Sequence, residues 1–205
     1  MSNGHDARRQ RRRSEILSAA SVLFLEHGYA QTSMDAIQRA VGGSKRTLYS
    51  HFSSKEDLLK AIVEDLATRF LEGISAELAT DRAPEEALVR LGRTYLQATL
   101  APEAVNLFRL VVSQSHIHPQ LLEVFMERGL CRALAIISAR LRVWSAEGAL
   151  EITDPEATAM LLIGMLRGPL VMQALLLNDR DISKDVLEDH IQRAVRVFLE
   201  GVRPR

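Results

Sequence analysis

Lys45, Arg46, Thr47, Tyr49, Ser50 and His51 crowd into seven residues between a glycine pair and Phe52, inside the stretch SMDAIQRAVGGSKRTLYSHF at residues 33–52. The set is rich in donors and small hydroxyls and holds no nucleophile–base pair. Its chemistry is hydrogen bonding to the edges of bases and to phosphates. Arg46 suits a bidentate contact to guanine O6 and N7, and Thr47 suits a thymine methyl or a phosphate. Tyr49, His51 and Lys55 suit phosphates that fix register. Ser33 can offer its hydroxyl and backbone N–H to a phosphate at a helix start. Ser44, at the start of the next helix, and Lys45 complete the candidate DNA-binding set.

Other chemistries find little support. The chain has no G-x-S-x-G, phosphate loop or H-E-x-x-H, and its acids are scattered along helical faces, so no enzyme is expected. His116 and His118 stand at i and i+2, which point apart on a helix, and Pro119 pushes His118 out of helix. No metal and no other cofactor is expected. Cys131 is the lone cysteine; it has no internal disulfide partner and is either an inert thiol or an oxidant sensor.

A reader of the major groove must be a helix with one face buried and the other free. Leu48 and Phe52 supply the buried i, i+4 pair of a helix over Lys45 to about His51, with Ser44 as its cap. Gly42-Gly43 breaks the preceding helix, whose Met34, Ile37 and Val41 face inward. Thr32 is expected to cap that helix with Asp35 as its partner, and Ser53 with Glu56 to cap the fourth helix. Residues 11–27 form the first helix through Ile16, Leu17, Ala20, Leu23 and Phe24, and Gly28 stops it. The fourth runs to about Leu78, with Gly73 as a possible bending point. Further helices are expected at about 85–100, 102–116, 119–146, 154–177 and 183–200, with Pro102, Pro119 and Pro155 near their starts. Residues 178–181 form a polar loop, and Gly168-Pro169 kinks the eighth helix.

This is an all-α chain of about nine helices. It divides into a flexible basic arm at 1–10, a three-helix helix-turn-helix domain at 11–55 (motif about 33–52) and a larger ligand-binding and dimerisation body at 56–205. Of its 205 residues 47% are hydrophobic and 25% charged, as in ordinary globular proteins. No apolar run reaches the roughly 18 residues of a membrane span, and the N-terminus lacks a signal sequence's apolar segment, so no membrane partner and a cytoplasmic location are expected. The net charge is zero. Residues 1–55 nevertheless carry nine Lys/Arg against four acids, a net +5, leaving −5 on the rest. A basic head on an acidic body fits a chain that meets phosphates at one end.

Ile16 to Val63 resembles the N-terminal domain of the TetR family of bacterial transcriptional regulators. The resemblance is carried by Phe24, Gly28 and Tyr29, by Thr32, Ser33, Met34 and Ile37, and by Leu48-Tyr49-x-His51-Phe52-x-x-Lys55-Glu56-x-Leu58. Gly43 departs from the family's usual apolar residue, and Arg46 stands where small residues are frequent. The resemblance implies phosphate contacts from Ser33, Tyr49, His51 and Lys55, and base or phosphate contacts from Lys45, Arg46 and Thr47. Phe108 to Val112 and Leu166 to Leu170 resemble a subgroup near efflux-pump repressors. The expected partners are therefore a palindromic operator in double-stranded DNA, a second copy of the chain and a small-molecule effector. The expected activity is that of a dimeric repressor released by its effector; the alternative is a sequence-tolerant DNA-organising protein, which the arginine run at 8–13 would suit.

Two half-sites one DNA turn apart call for a dimer. Ala157, Met160, Leu161 and Gly164 on the eighth helix, with Ile191, Val195 and Phe198 on the ninth, are the candidate interface, unless these stripes pack only within one chain. Tyr95, Phe108, Gln114, His116, Phe125, Met126, Trp144, Met165, Arg167 and Met172 are candidate pocket residues, about half of which are expected to be plain core. Arg167 stands out, because an arginine on an apolar helix needs an acid, solvent or an anionic ligand.

Overall fold

The computed structural model describes residues 3–177 and 182–204. Every regular element among them is helical: α1 (Asn3–His27), α2 (Met34–Val41), α3 (Lys45–His51), α4 (Lys55–Leu78), α5 (Pro84–Leu100), α6 (Pro102–Gln114), α7 (Pro119–Phe125), a π-helical segment (Met126–Cys131), α8 (Arg132–Ala146), α9 (Pro155–Leu176) and α10 (Lys184–Val202). The helical backbone conformation at Phe125, Met126, Cys131 and Arg132 carries α7, the π segment and α8 through as one rod. That rod is the single helix expected over 119–146, and counted so the helices among the described residues number nine.

The helix starts follow local chemistry. Pro84, Pro102, Pro119 and Pro155 each open a helix, where the absent N–H loses no bond. Several expectations are corrected. α1 reaches back to Asn3, so residues 3–10 of the expected flexible arm are helical; beyond Gly4 the segment has no helix breaker, and Asp6 suits the first turn. Ser33, not Thr32, caps α2: its Oγ accepts from the Ala36 N–H at 3.1 Å. Thr32 is buried, and its hydroxyl donates to Gly28 O at 2.8 Å, tying off the end of α1. Ser54, not Ser53, caps α4 by accepting from the Asp57 N–H. Gly73 lies within α4, where a Cβ would stand 3.0 Å from Thr94 Cγ2, so it serves close packing of α5. Residues 1 and 2 of the arm and the loop expected at 178–181 lie outside the described residues.

Two cores form. One joins Ile16, Ala20, Phe24, Ile37, Leu48 and Phe52 to the early turns of α4 (Leu58, Leu59, Ile62, Val63) and to Leu107, Val111 and Leu121 of the body. The other is built on α4, α5, α8, α9 and α10. The expected boundary at 55/56 thus falls just where α4 begins, and its first two turns pack with the head. Arg109 on α6 donates to Leu175 O and Ala174 O, both at 2.8 Å, and so caps the end of α9 from across the body.

α9 corrects the expectation about apolar runs. It is the one helix among the described residues long and apolar enough to cross a membrane, and only a third of its most apolar window is buried. One face packs on α5, α8 and α10 while the other stays bare, and Gly168 breaks the helical backbone next to Pro169.

Candidate nucleic-acid interface

The turn between α2 and α3 needs its glycines. Gly42 and Gly43 have φ of 73° and 85°, a region that strains any residue bearing a Cβ. The Gly42 N–H closes α2 on Gln38 O, and Gln38 Nε2 donates to Gly43 O at 2.6 Å. Ser44 then starts α3, accepting from the Thr47 N–H at 3.1 Å. Leu48 and Phe52 are buried and pin the helix. Lys45, Arg46, Tyr49 and Ser50 are exposed; Thr47 and His51 are half-buried at the rim. Arg46 has no hydrogen-bond or ion-pair partner among the described residues, so its guanidinium is available to a ligand.

Not every expected contact residue is equally available. Lys45 pairs with Asp35 of α2 at 2.8 Å, and that hydrogen bond raises its pKa. Lys55 is turned inward: its Nζ donates to Tyr29 O at 2.7 Å and lies 4.2 Å from the centre of the Tyr29 ring. A phosphate contact from this ammonium must compete with both. Burial first, then the nearby charges of Arg9, Arg12 and Arg13, hold the His51 pKa below its ordinary value. The imidazole is therefore biased toward its neutral form.

Those arginines lie beside the candidate site, and residue-by-residue reading of 33–55 missed them. α1 continues past the head's core, and Arg8, Arg11 and Arg12 share a groove with Thr47 of the reader helix. Arg12 also donates to Val41 O at 3.4 Å and to Gly42 O, and pairs with Glu15 at 2.9 Å. A Cβ on Gly43 would stand 2.8 Å from Arg12 Nη2. Gly43, the departure from the family pattern, thus leaves space for a guanidinium that ties α1 to the turn. The arginine run at 8–13 was the available signal; a helical start to α1 turns it into a fixed ridge.

The ten pocket candidates do not converge. Tyr95 and Trp144 are core, packed against Phe70 (ring centres 5.7 Å apart) and under Arg140 (4.9 Å). Phe108 and Phe125 pair at 5.3 Å. Gln114 is half-buried, while His116, Met126, Met165 and Met172 are exposed. Arg167 is half-buried near Tyr95, whose hydroxyl burial pushes up to about 12 against the pull of that charge. A cavity of ≈ 350 Å³ opens elsewhere, between α1, α4 and α6, and none of the ten lines it.

The interface candidates divide. On α9, Met160 and Leu161 are 62% and 63% exposed, beside exposed Ala157 and Gly164. On α10, Ile191, Val195 and Phe198 are buried within one chain against α5 and α9. They are corrected to core, since an amphipathic helix first buries its stripe in its own subunit. The outward apolar residues of α10 are Val186 and Val197. Cys131 is exposed.

Comparison with known proteins places this geometry among relatives. Residues 16–62 match the family described as bacterial regulatory proteins, tetR family, and residues 86–201 match the AefR-like transcriptional repressor C-terminal domain. A protein from Mesorhizobium loti described as a TetR-family transcriptional regulator is 30% identical, with a TM-score of 0.89, over 96% of this chain and 99% of that one. The flavonoid-responsive regulator FrrA is also 30% identical, with a TM-score of 0.76 over the same shares. The transcriptional activator FasR of Mycolicibacterium smegmatis is 38% identical over 77 residues, 38% of this chain and 35% of its own. The transcriptional repressor KstR2 of Rhodococcus jostii is 34% identical over 98 residues, 46% of this chain and 48% of its own. The match thus spans about a third to a half of those curated relatives.

Proposed function

The chain belongs to the TetR family of bacterial transcriptional regulators, and from there we propose that it is a dimeric, sequence-specific repressor released from a palindromic operator by a small-molecule effector. It is a regulator and not an enzyme. The observation that carries the DNA-binding reading is α3: pinned by Leu48 and Phe52, held at its start by Ser44, and presenting Arg46, unpartnered among the described residues, beside Tyr49 and Ser50. Ser33, Ser44, Lys45, Thr47, Tyr49, His51 and Lys55 form the surrounding contact set, with Arg8 and Arg11 flanking it.

Two heads one DNA turn apart require a second copy. The bare face of α9 supports an isologous contact there, centred on Met160, Leu161 and Gly164 and flanked by Val197 of α10. The effector would act by binding one head spacing better than the other, with α4 as the lever shared by both cores. A DNA-binding regulator works where the DNA is, in the cytoplasm.

Selection of bound sequences from a random duplex pool, at near-physiological salt, tests the reading. A palindromic motif with half-sites about one turn apart supports it. Equal recovery of all sequences, with affinity falling steeply in salt, would favour a sequence-tolerant DNA-organising protein.

A further inference from the structure

The ≈ 350 Å³ cavity lies at the joint between head and body, not inside the body. Its volume is at the small end of ligand sites. α1 supplies one wall, α4 the second and α6 the third. Its lining is amphiphilic. Leu66 of α4 and Leu107 and Leu110 of α6 form an apolar side, facing Val22 and Leu25 of α1. Those two are 48% and 38% exposed, so the head keeps apolar surface in water at this cleft. Ser14, Ser18 and Ser21 lie along the same stretch of α1, at the i, i+4 and i+7 spacing of one helical face, and add hydroxyls to that wall.

Charge at the rim selects the ligand. Asp65 and Arg69 neutralise each other at 3.2 Å. Glu103 lines the cleft and has no cationic partner among the described residues. The rim therefore carries the charge of Glu103, which sits in the first turn of α6 and has no side-chain cation to neutralise it among the described residues, next to an apolar slot. We infer that this joint is a binding site for a small cationic amphiphile, a primary amine or quaternary ammonium on a short alkyl or aryl body. The alkyl part covers Val22, Leu25 and Leu107, and the ammonium meets Glu103. Such a ligand touches α1 and α6 at once, so it resists any movement of the head against the body. The site stands on its own geometry; its influence on operator affinity rests on the proposed DNA-binding function.

The test uses the full chain and three ten-carbon probes below their aggregation limits: decylammonium, decanol and decanoate. Titration calorimetry gives their affinities for the unaltered protein, Glu103→Gln and Ser18→Trp. Ser18 and Glu103 are exposed, and thermal melting checks that both variants fold. Decylammonium is expected to bind best. Glu103→Gln should weaken it about twofold to fivefold, the scale of an exposed ion pair, and leave decanol unchanged. Ser18→Trp, which fills the slot, should abolish binding of both. Equal decylammonium binding to the Ser18→Trp variant, or tighter binding of decanoate, overturns the proposal. With a duplex recovered by selection, decylammonium should shift DNA affinity, and DNA should shift decylammonium affinity by the same factor. A protein that binds decylammonium as described but recovers no DNA would refute the function and leave the site standing.

Discussion

Gly43→Ala should destabilise the turn through two separable effects, and Arg12 distinguishes them. The first is backbone: at φ 85° an alanine costs about 1–2 kcal/mol. The second is space: the new Cβ would stand 2.8 Å from Arg12 Nη2, so the guanidinium must shift and loosen its bonds to Val41 O and Gly42 O. Arg12 is partly exposed, so those two bonds together are worth about 1 kcal/mol. The single variant should therefore open α2 and α3 about 2–3 kcal/mol more easily. Arg12→Ala alone should cost about 1 kcal/mol. In the Arg12→Ala background, Gly43→Ala should cost only the backbone part, leaving a coupling of about 1 kcal/mol. Gly43→Val, which restores the family's usual residue, should be worse than alanine because it is β-branched. Hydrogen exchange of the α2 and α3 amides in the full chain reads the local opening free energy. Additive costs in the double variant, or a valine as good as glycine, would refute the Arg12 clamp.

Other perturbations address the interface and the dimer. Arg46→Ala should lose about 1–3 kcal/mol on the selected operator and little on random duplex, measured by fluorescence anisotropy; equal losses on both would remove it from base reading. His51 should take up a proton on DNA binding, because burial and then the charges of Arg9, Arg12 and Arg13 hold its pKa down, and phosphates offset those charges. Affinity should then rise as pH falls from 7.5 to 5.5, and His51→Gln should flatten that slope. In the free protein the sign is opposite for stability: a histidine pKa lowered by folding makes the folded state weaker as pH falls below the ordinary histidine value. Leu161→Glu should give a folded monomer by sedimentation, since Leu161 is 63% exposed in one chain. A dimer of unchanged strength would place the interface elsewhere.

The head was legible because its residues obey local rules. Gly42, Gly43 and Ser44 announce a turn and a cap, and Leu48 and Phe52 announce a buried face, all within eleven residues. The errors were errors of one residue or of context. Thr32 and Ser33 are both good caps on paper. Only the fold shows that the Thr32 hydroxyl is needed at Gly28 O, leaving Ser33 for α2. Ser53 and Ser54 pose the same choice. Lys55 looked free because sequence gives its charge but not Tyr29, twenty-six residues away, beneath it.

The body was less legible for a physical reason that α9 and α10 separate cleanly. A stripe such as Ile191, Val195 and Phe198 says that one face of a helix is buried; it does not say against what. A lone stripe is fully consumed by the subunit's own core, as α10 shows. A helix apolar on more than one face has surplus that its own subunit cannot cover, and α9 is that helix: Leu162, Ile163 and Leu166 are buried while Met160 and Leu161 stay bare. The sequence signal for the proposed second copy is therefore the excess of apolar residues around α9, the same excess that makes it pass for a membrane span. Two of the pocket candidates follow the same logic. Tyr95 and Trp144 are large enough to fill a core, and a core is where such residues go unless polar groups converge on them. At the joint of α1, α4 and α6 the polar groups do converge, on serines that no apolar pattern would single out.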